Sequence, residues 1–308
     1  MARAVIIGGT GKVGSYLVPS LVRAGHTVTV VTRGTTQPAV AADEWGDVRA
    51  VTLDRADPGF EVAVRDLGPE IVVDMICFTD ADLRRLIGAL DGHVGHFLVT
   101  GSVWMHGPAG VVPYAEDECR RPFGEYGIQK DLMDRTIAAA WHDRGFPGTA
   151  VHPGHIVCPG DIPVGPQGCK SLDSFRTLRA GEPLWLPNGG MECLHHVHAA
   201  DVAGVFQAAI SAGEPAFGEG FHAVAPRAVT LRGYAEEVAG WYGRTADLRF
   251  EPFDAFKARI GPKLAAQTLD HIAHSPNASM AKAEAVLGFV PRHTTYQAIR
   301  ECLASFGL

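Results

Sequence analysis

The sequence has no long hydrophobic run. No stretch approaches the roughly 18 apolar residues that a membrane-spanning helix requires. Near the N-terminus, the apolar run Ala4–Ile7 ends at glycines after four residues, which is too short for the apolar core of a secretory signal peptide. We therefore expect a soluble, cytoplasmic protein without a membrane partner.

Clustered cysteine and clustered positive charge are also missing. The six cysteines form no CxxC pair and share no repeated spacing, so we expect free thiols in a reducing compartment. Lysine and arginine total 27 against 34 acidic residues, which gives a net charge of −7, and no block of basic residues occurs. Because a surface that follows phosphates needs clustered Lys and Arg, the sequence argues against a nucleic acid partner.

Apolar residues make up 46% of the 308 residues, and their pattern is regular. Short runs of aliphatic and β-branched residues suit strands that are buried on both faces. These runs are Ala4–Ile7, Thr27–Val31, Val48–Leu53, Ile71–Ile76 and His96–Thr100. Segments with apolar residues at helical spacing follow or separate several of these runs, at Val13–Arg23, Asp82–Leu90 and Asp131–His142. The alternation predicts an α/β fold with a Rossmann-like, doubly wound parallel sheet.

After Val151 the sequence becomes rich in loop-forming residues. This change predicts a smaller, mixed C-terminal domain. Helices are expected at Leu172–Ala180, Asp201–Ser211, 231–242, 253–259 and 278–287, with Asp201 as an N-cap. We expect the sheet domain to span 1–160 and to be completed by about 194–224. Residues 161–193 and 225–308 then form the second domain.

A glycine loop joins the first predicted strand to the first predicted helix. Gly8, Gly11 and Gly14 have the spacing GxxGxxG. Such glycines allow a tight turn, a close approach to a pyrophosphate and close packing of helix on sheet, with the phosphates at the positive helix end. This position after a strand and before a helix predicts dinucleotide binding.

The end of the second predicted strand bears on the type of cofactor. An NAD site usually has Asp or Glu here to accept from the ribose 2′-hydroxyl, but this strand ends in Thr32 and Arg33. Arg33, assisted by Lys12, suits a 2′-phosphate, whereas the alternative is that Arg33 is a solvated loop cation. We predict NADP(H) in preference to NAD(H), with NAD possible.

Tyr126 and Lys130 lie four residues apart, on one face of a helix. A nearby ammonium favours the phenolate, so Tyr126 can exchange a proton with a carbonyl or alcohol oxygen. Upstream, Ser102 follows a strand end, where its hydroxyl can bond the same oxygen or cap its own turn. An ordinary surface Tyr–Lys pair is the alternative for the first two residues.

These motifs together resemble the short-chain dehydrogenase/reductase superfamily. They are most similar to its extended branch, the NAD-dependent epimerase/dehydratase family, over nearly the whole length. The matching segments are GGTGKVG (8–14), TGSVWMHG (100–107), YGIQK (126–130), VHPGHIVCPG (151–160) and HVHAADVA (196–203). The resemblance implies a Ser102–Tyr126–Lys130 catalytic set, and HVHAADVA resembles the motif that re-enters the core sheet before a helix.

The resemblance also implies which residues meet the cofactor and the substrate. The predicted cofactor-binding residues are Gly8, Thr10, Gly11, Lys12, Val13, Gly14, Arg33, Asp54, Arg55, Ile76, Cys77, Tyr126, Lys130, Pro153 and His155. The predicted substrate-binding residues are Trp104, His155, Arg176, His196 and His198. No metal site is expected, because the His195–His198 segment lacks a second cluster to complete four ligands.

Three departures from the family pattern bear on the substrate. Leu194 stands near the position of an arginine that reaches the diphosphate of nucleotide sugars, and His152 replaces another usual arginine. Thr32 replaces the acidic ribose ligand. These departures argue against a nucleotide sugar and against NAD, and they leave Ser102, Tyr126 and Lys130 untouched.

The sequence therefore predicts an NAD(P)-dependent oxidoreductase that transfers hydride between nicotinamide and a carbonyl or alcohol of a small molecule. One alternative is an epimerase of sugars or nucleotide sugars with tightly held cofactor. A second is a non-catalytic protein of this fold that senses NADP or binds RNA. A homodimer is an expectation from the resemblance alone.

Overall fold

The computed structural model describes residues 1–308, with a seven-stranded parallel sheet at the centre. The strands of the protein are β1 (Arg3–Ile7), β2 (Thr27–Thr32), β3 (Arg49–Thr52), β4 (Ile71–Asp74), β5 (His96–Thr100), β6 (Gly148–Pro153), β7 (His155–Val157), β8 (Leu184–Pro187), β9 (Cys193–Leu194), β10 (His196–His198), β11 (Gly220–Ala223), β12 (Val229–Thr230) and β13 (Leu248–Glu251). The central sheet has the order β11-β6-β5-β4-β1-β2-β3. The strand order reverses between β1 and β4, and open α/β sheets bind ligands beyond the carboxyl ends of strands at such a point.

Helices cover both faces of this sheet. The helices are α1 (Gly14–Arg23), α2 (Phe60–Asp66), α3 (Asp80–Leu90), α4 (Gly124–Arg144), α5 (Asp173–Ala180), α6 (Ala199–Ala212), α7 (Leu231–Trp241), α8 (Phe253–Ile260), α9 (Pro262–His274), α10 (Ala281–Leu287) and α11 (Thr295–Ala304). One core lies between the sheet and α1, α6 and α10, and a second lies between the sheet and α2, α3 and α4. The predicted Rossmann-like α/β fold is confirmed.

A third hydrophobic core holds the smaller part of the molecule together. Phe175 of α5, Tyr234 of α7 and Ile299 of α11 are fully buried in it. Short two-stranded pairings accompany these helices, namely β7 with β10, β9 with β12 and β8 with β13. The β10 segment, which resembles the family motif that re-enters the core sheet, pairs only with β7, and the strand that joins the core sheet is β11.

Two details of the predicted elements are wrong. β3 is the edge strand of the sheet, so Arg49, Ala50 and Thr52 are exposed rather than buried on both faces. Asp201 does not cap α6, because His198 does so by accepting the N–H of Ala200. The Asp201 carboxylate instead accepts the backbone N–H groups of residues 292 and 293 and fixes the loop before α11.

Helices α2, α9 and α11 were not predicted from the sequence. α9 begins with Pro262 after Gly261, an arrangement that is common at a helix start. α11 begins with a capping box formed by Thr294 and Gln297. Both signals are present in the sequence and were available to predict these helices.

No helix combines the length and the apolar character needed to cross a membrane.

Candidate active site

The glycine loop forms the tight connection between β1 and α1 that its spacing predicts. Gly8 has a φ of +78°, a conformation that side chains other than glycine's rarely adopt. A Cβ atom on Gly14 would lie 2.2 Å from the carbonyl oxygen of Gly9. The backbone N–H groups of Lys12 and Val13 make no hydrogen bond within the protein. The loop therefore presents free N–H donors beside the start of α1, as a phosphate group requires.

Two clefts meet at this loop. The first cleft, of about 470 Å³, is lined by Gly8, Gly11, Lys12, Val13, Gly14, Met75, Ile76, Phe78, Thr100, Gly101, Ser102, Tyr126, Lys130, Pro153, Gly154, His155, Ile156, Val164, Lys170 and His271. The second cleft, of about 370 Å³, is lined by Ile7, Gly8, Thr10, Gly11, Val31, Thr32, Arg33, Thr35, Thr36, Leu53, Asp54, Arg55, Phe60, Ile76 and Phe78. Because the clefts share Gly8, Gly11, Ile76 and Phe78, they form one elongated depression across the strand ends.

The second cleft contains Arg33, Asp54 and Arg55. Arg33 is exposed, whereas the Arg55 guanidinium pairs with the buried Asp74 and lies 5.1 Å from the centre of the Phe60 ring. Two of the Arg55 nitrogens, Nε and Nη1, are buried without a hydrogen-bond partner. Arg55 is therefore neutralised by Asp74, and Arg33 is the cation of this cleft that has no ion-pair partner, while Asp54 places a carboxylate at the end of β3 and none lies at the end of β2.

Lys12 does not lie with Arg33. Its ammonium pairs with Asp161, and Lys170 bonds the same Asp161 oxygen at 3.0 Å. Lys12 and Lys170 both line the first cleft and not the second. In the structure the Lys12 ammonium therefore pairs with Asp161 at the first cleft and does not join Arg33 in the second.

Lys130 is buried at the wall of the first cleft and is only 2% exposed. Its Nζ donates to the carbonyl oxygens of Cys77 and Thr100, both at 2.7 Å, and lies 5.6 Å from the centre of the Tyr126 ring. Burial lowers the pKa of Lys130 to about 8. An ammonium has three donors, so one N–H remains for a ligand or for Tyr126.

Tyr126 and Ser102 line the same cleft as Lys130. Partial burial raises the pKa of Tyr126, which is still 41% exposed, and the nearby Ser102 hydroxyl acts in the opposite direction. The Ser102 Oγ accepts the N–H of Trp104 at 3.2 Å, so the hydroxyl does cap its own turn. Because that bond uses an Oγ lone pair, the hydroxyl hydrogen is still free to donate to an oxygen in the cleft.

A buried pair beneath Ser102 fixes its backbone. The N–H of Ser102 donates to His152 Nδ1 at 3.3 Å, and His152 Nε2 lies 2.8 Å from Asp134. Arg120 bonds the other carboxylate oxygen of Asp134 at 2.5 Å. His152 and Arg120 hold the pKa of Asp134 well below its usual range, although burial opposes them. The strand end that carries Ser102 therefore rests on an ionised, hydrogen-bonded support.

Aromatic and imidazole rings form the wall opposite the glycine loop. Trp104 meets the Tyr126 ring edge-on at a centroid distance of 5.8 Å and stacks on His274 at 4.0 Å. His271 lines the first cleft, and its ring lies 4.8 Å from that of His155. The two α9 histidines are functional candidates that the sequence analysis missed, because nothing local in 262–274 indicates contact with residues near 104.

Most of the predicted cofactor residues line the two clefts, and Cys77 is the exception. Its thiol is fully buried, and its carbonyl oxygen serves the site by binding Lys130. Of the predicted substrate residues, His155 lines the first cleft and Trp104 packs directly behind it.

The remaining three predicted substrate residues lie away from the clefts. Arg176 is exposed and pairs with Asp173 of its own helix. His196 is fully buried behind His155 and bonds the carbonyl oxygen of Val164. His198 stacks on His293 at 4.1 Å, near Glu301. These three side chains do not reach the space in which a substrate can meet Tyr126.

Two histidines and one glutamate lie close enough together to be considered as metal ligands. Single ligand atoms of His198, His293 and Glu301 lie within 4.8 Å of one another. However, His198 Nδ1 accepts a backbone N–H, so in the neutral ring the hydrogen is on Nε2. That nitrogen then has no lone pair for a metal, and it lies 3.6 Å from Glu301 without a hydrogen bond, so the three side chains are not a ready set of metal ligands.

The residues present fit a dinucleotide. The glycine loop has free N–H groups and a position at Gly14 that tolerates no side chain. The two clefts meet at the glycine loop. Lys130 and Tyr126 line the first cleft, and Arg33 and Asp54 line the second. An extended molecule with phosphates at its middle matches this arrangement.

Comparison with known proteins agrees with this geometry. The model of the NAD dependent epimerase/dehydratase family matches residues 4–219. The chain is 32% identical to the 2'-dehydrokanamycin reductase of Streptomyces kanamyceticus over 246 residues, which is 79% of this chain and 67% of that protein. It is 24% identical to the chloroplast stem-loop binding protein of 41 kDa b of Arabidopsis thaliana over 305 residues, 94% of this chain and 75% of that protein.

A solved structure shares the whole fold. The UDP-N-acetylglucosamine 4-epimerase from Bacillus cereus superposes with a TM-score of 0.72 at 16% identity, and the match covers 99% of each chain. The family model spans the glycine loop, Ser102, Tyr126 and Lys130. The resemblance found in the sequence is confirmed: the chain belongs to the NAD dependent epimerase/dehydratase family.

Proposed function

We propose that the protein is an NADP(H)-dependent reductase of a carbonyl group on a small, hydroxylated molecule. The observation that carries the proposal is the buried Lys130 ammonium, which two backbone carbonyls hold beside the Tyr126 ring in a cleft that also contains Ser102. This arrangement can supply a proton to an oxygen atom, and family membership supports a redox use for it.

Three residues of the chain act on the reacting oxygen, each with a different role. A bound nicotinamide supplies or accepts the hydride. Ser102 donates its hydroxyl hydrogen to the carbonyl oxygen and orients it. Tyr126 gives its phenol proton to that oxygen as the alcohol forms, and the Lys130 cation stabilises the phenolate that remains.

The preference for NADP(H) rests on charge in the second cleft. Arg33 lines it just after β2, where the strand end offers no carboxylate, whereas Arg55 is already paired with Asp74 and Asp54 follows β3. An arginine fork suits a phosphate group, whereas a ribose 2′-hydroxyl is usually met by an acid. We propose that Arg33, which is exposed and not engaged in an ion pair, binds the 2′-phosphate.

The curated relative supports a reductase direction and a sugar-like substrate. That protein is named as a reductase of 2'-dehydrokanamycin, and it is 32% identical. No arginine lines the first cleft, and its Lys12 and Lys170 are both paired with Asp161, so we propose a substrate without the diphosphate of a nucleotide sugar.

Epimerisation is the second candidate function, and family membership favours it. The same three residues would oxidise and then re-reduce one carbon without releasing the cofactor. RNA binding, which the name of the plant relative describes, is less well supported here because Ser102, Tyr126 and Lys130 are all present in one cleft.

Replacing Tyr126 tests the proposed reductase. Purified protein should oxidise NADPH when it is given a hydroxylated ketone, followed by loss of the reduced-nicotinamide absorbance. Tyr126→Phe removes the proton donor, and we expect kcat to fall about 10²- to 10⁴-fold while NADPH still binds.

Tyr242→Phe is the matched control, since Tyr242 is half-buried near Arg179, outside the clefts, and should leave kcat unchanged. Full activity of Tyr126→Phe would contradict the proposal. Cofactor that co-purifies and resists exchange, without net NADPH oxidation, would favour the epimerase instead.

A further inference from the structure

His271 faces the substrate end of the first cleft with a fixed hydrogen-bonding role. Its Nδ1 lies 2.8 Å from the carbonyl oxygen of Gly168 and 2.7 Å from that of Gln267. Carbonyl oxygens only accept, so Nδ1 must hold the ring hydrogen. The other nitrogen, Nε2, is then an acceptor in the neutral imidazole, on a side chain that lines the cleft.

His155, which lines the same cleft, has ring nitrogens that lack hydrogen-bond partners. Both of its ring nitrogens are buried and have no hydrogen-bond partner in the protein, and the side chain lines the same cleft. A neutral imidazole has one donor and one acceptor. The His155 ring meets the His271 ring edge-on at a centroid distance of 4.8 Å, so the unpartnered His155 lies beside the imidazole whose Nδ1 is already bonded.

Neither imidazole takes part in the proposed proton transfer to the reacting oxygen. Ser102 and Tyr126 carry out that step. The rings stand beside Trp104, whose ring lies 5.4 Å from that of His271 and 5.8 Å from that of Tyr126. They are therefore placed to meet a group next to the reacting carbon. The group must donate to Nε2 of His271, and it gains a second hydrogen bond if it can also accept the N–H of His155 when that ring turns towards the cleft.

A hydroxyl group satisfies this requirement, because it donates and accepts through one atom. An ammonium group donates only. It would also meet Lys12, Lys130 and Lys170, which line the cleft, while no carboxylate lines it. A carboxylate or phosphate group has no hydrogen to give to Nε2 of a neutral His271.

We propose that His271, supported by His155, is a specificity-determining residue that binds a hydroxyl group next to the reacting carbonyl. The substrate class is then a ketone with a neighbouring hydroxyl, as in oxidised sugars and cyclic polyols. This inference rests on the proposed reductase function and names the substrate feature that its site selects.

A pair of ketones of equal size tests the inference. The probes are 2-hydroxycyclohexanone and 2-methylcyclohexanone, in which a methyl group replaces the hydroxyl. With NADPH, we expect wild-type kcat/KM for the hydroxyketone to exceed that for the methylketone by about tenfold or more, as one hydrogen bond to a neutral group allows.

Two variants of His271 separate hydrogen bonding from packing. His271→Phe keeps a ring beside Trp104 and removes the acceptor, so the preference should fall to about twofold or less, through a higher KM for the hydroxyketone. His271→Gln keeps an acceptor and should retain part of the preference. An unchanged preference in His271→Phe would overturn the inference, as would equal use of both ketones by the wild type.

Calorimetry with the NADP⁺-loaded protein makes the same comparison without turnover. Preferential binding of the hydroxyketone, lost in His271→Phe, supports the subsite even if no NADPH is oxidised, and that combination would overturn only the reductase proposal. Equal binding of both ketones to the wild type overturns the subsite. Thermal unfolding of each variant verifies that it is folded.

Discussion

At the scale of single residues, the site depends on how burial changes Lys130 and Tyr126. Both side chains serve the first cleft, and burial moves their pKa values in opposite senses, up for the phenol and down to about 8 for the ammonium. The two carbonyl oxygens that bind Lys130 fix its position beside Tyr126. The Lys130 ammonium is therefore held in place before any ligand binds, whereas Tyr126 is 41% exposed.

This arrangement predicts the pH dependence of reduction. Reduction needs a protonated Tyr126 and a charged Lys130, so kcat/KM for the ketone should be high below pH 8 and should fall as the pH rises through about 8. The fall follows from the lowered pKa, because Lys130 loses its cation there.

A pH–rate profile with NADPH checks this prediction, and Lys130→Arg provides the comparison. Arginine keeps its charge at every accessible pH, so any activity that this variant retains should not decline near pH 8. A wild-type profile that stays level from about pH 7 to about pH 10 would contradict the assigned role of Lys130.

The positions of several site residues could be predicted from the sequence because local spacing determines them. Tyr126 and Lys130 lie one helical turn apart, and Ser102 follows the end of β5. The partner of Lys12 could not be predicted in this way. Asp161 is 149 positions away, and only the folded chain brings the two together.

At the scale of elements, the junction between β1 and α1 sets the shape of the cofactor region. The helix begins at Gly14, directly against the Gly9 carbonyl, and the strand ends at Ile7. A side chain at position 14 would push the helix away from the sheet and move the free N–H groups of the loop.

Gly14→Ala should therefore lower both stability and cofactor binding. We expect a loss of about 1–3 kcal/mol in the free energy of unfolding, measured in urea, because the added methyl overlaps backbone atoms. Binding of NADPH should weaken in the same variant.

Gly240→Ala is the matched control, since position 240 lies in α7 with no atom within 4 Å of the added methyl. There we expect a gain of about 0.5–1 kcal/mol and unchanged NADPH binding. Equal effects of the two substitutions would show that close packing at Gly14 is unimportant.

The sheet and most of its helices could be predicted because their hydrophobic periods are distinct. The position of β3 at the edge could not be inferred from composition, since Val48–Leu53 has the same residue types as the buried strands. Asp201 was expected to bond its own helix. The structure shows that the preceding His198 caps it, which leaves the Asp201 carboxylate for a loop 91 positions away.

At the scale of the whole molecule, the substrate end of the cleft is built by long-range packing. α9 brings His271 and His274 against Trp104, which lies more than one hundred and fifty positions earlier in the chain. No local pattern in 262–274 indicates this contact, so the imidazole wall was absent from the sequence prediction. The parallel, doubly wound character of the sheet, in contrast, follows from the alternation of strands and helices along the sequence.

The central claim is that the whole elongated depression binds a dinucleotide, with a preference for NADP(H) set in the second cleft. Titration calorimetry of the purified protein with NADPH and NADH tests it most directly. We expect NADPH to bind at least about tenfold more tightly than NADH, because Arg33 gains a charged hydrogen bond to the 2′-phosphate.

The same titration with two variants locates the preference. Arg33→Ala should bring the two affinities together, whereas Lys12→Ala should keep their ratio, since Lys12 pairs with Asp161 in the first cleft. Tight NADPH binding that depends on Arg33 is the result we predict. If neither cofactor binds to the wild-type protein, the claim that the depression binds a dinucleotide is wrong.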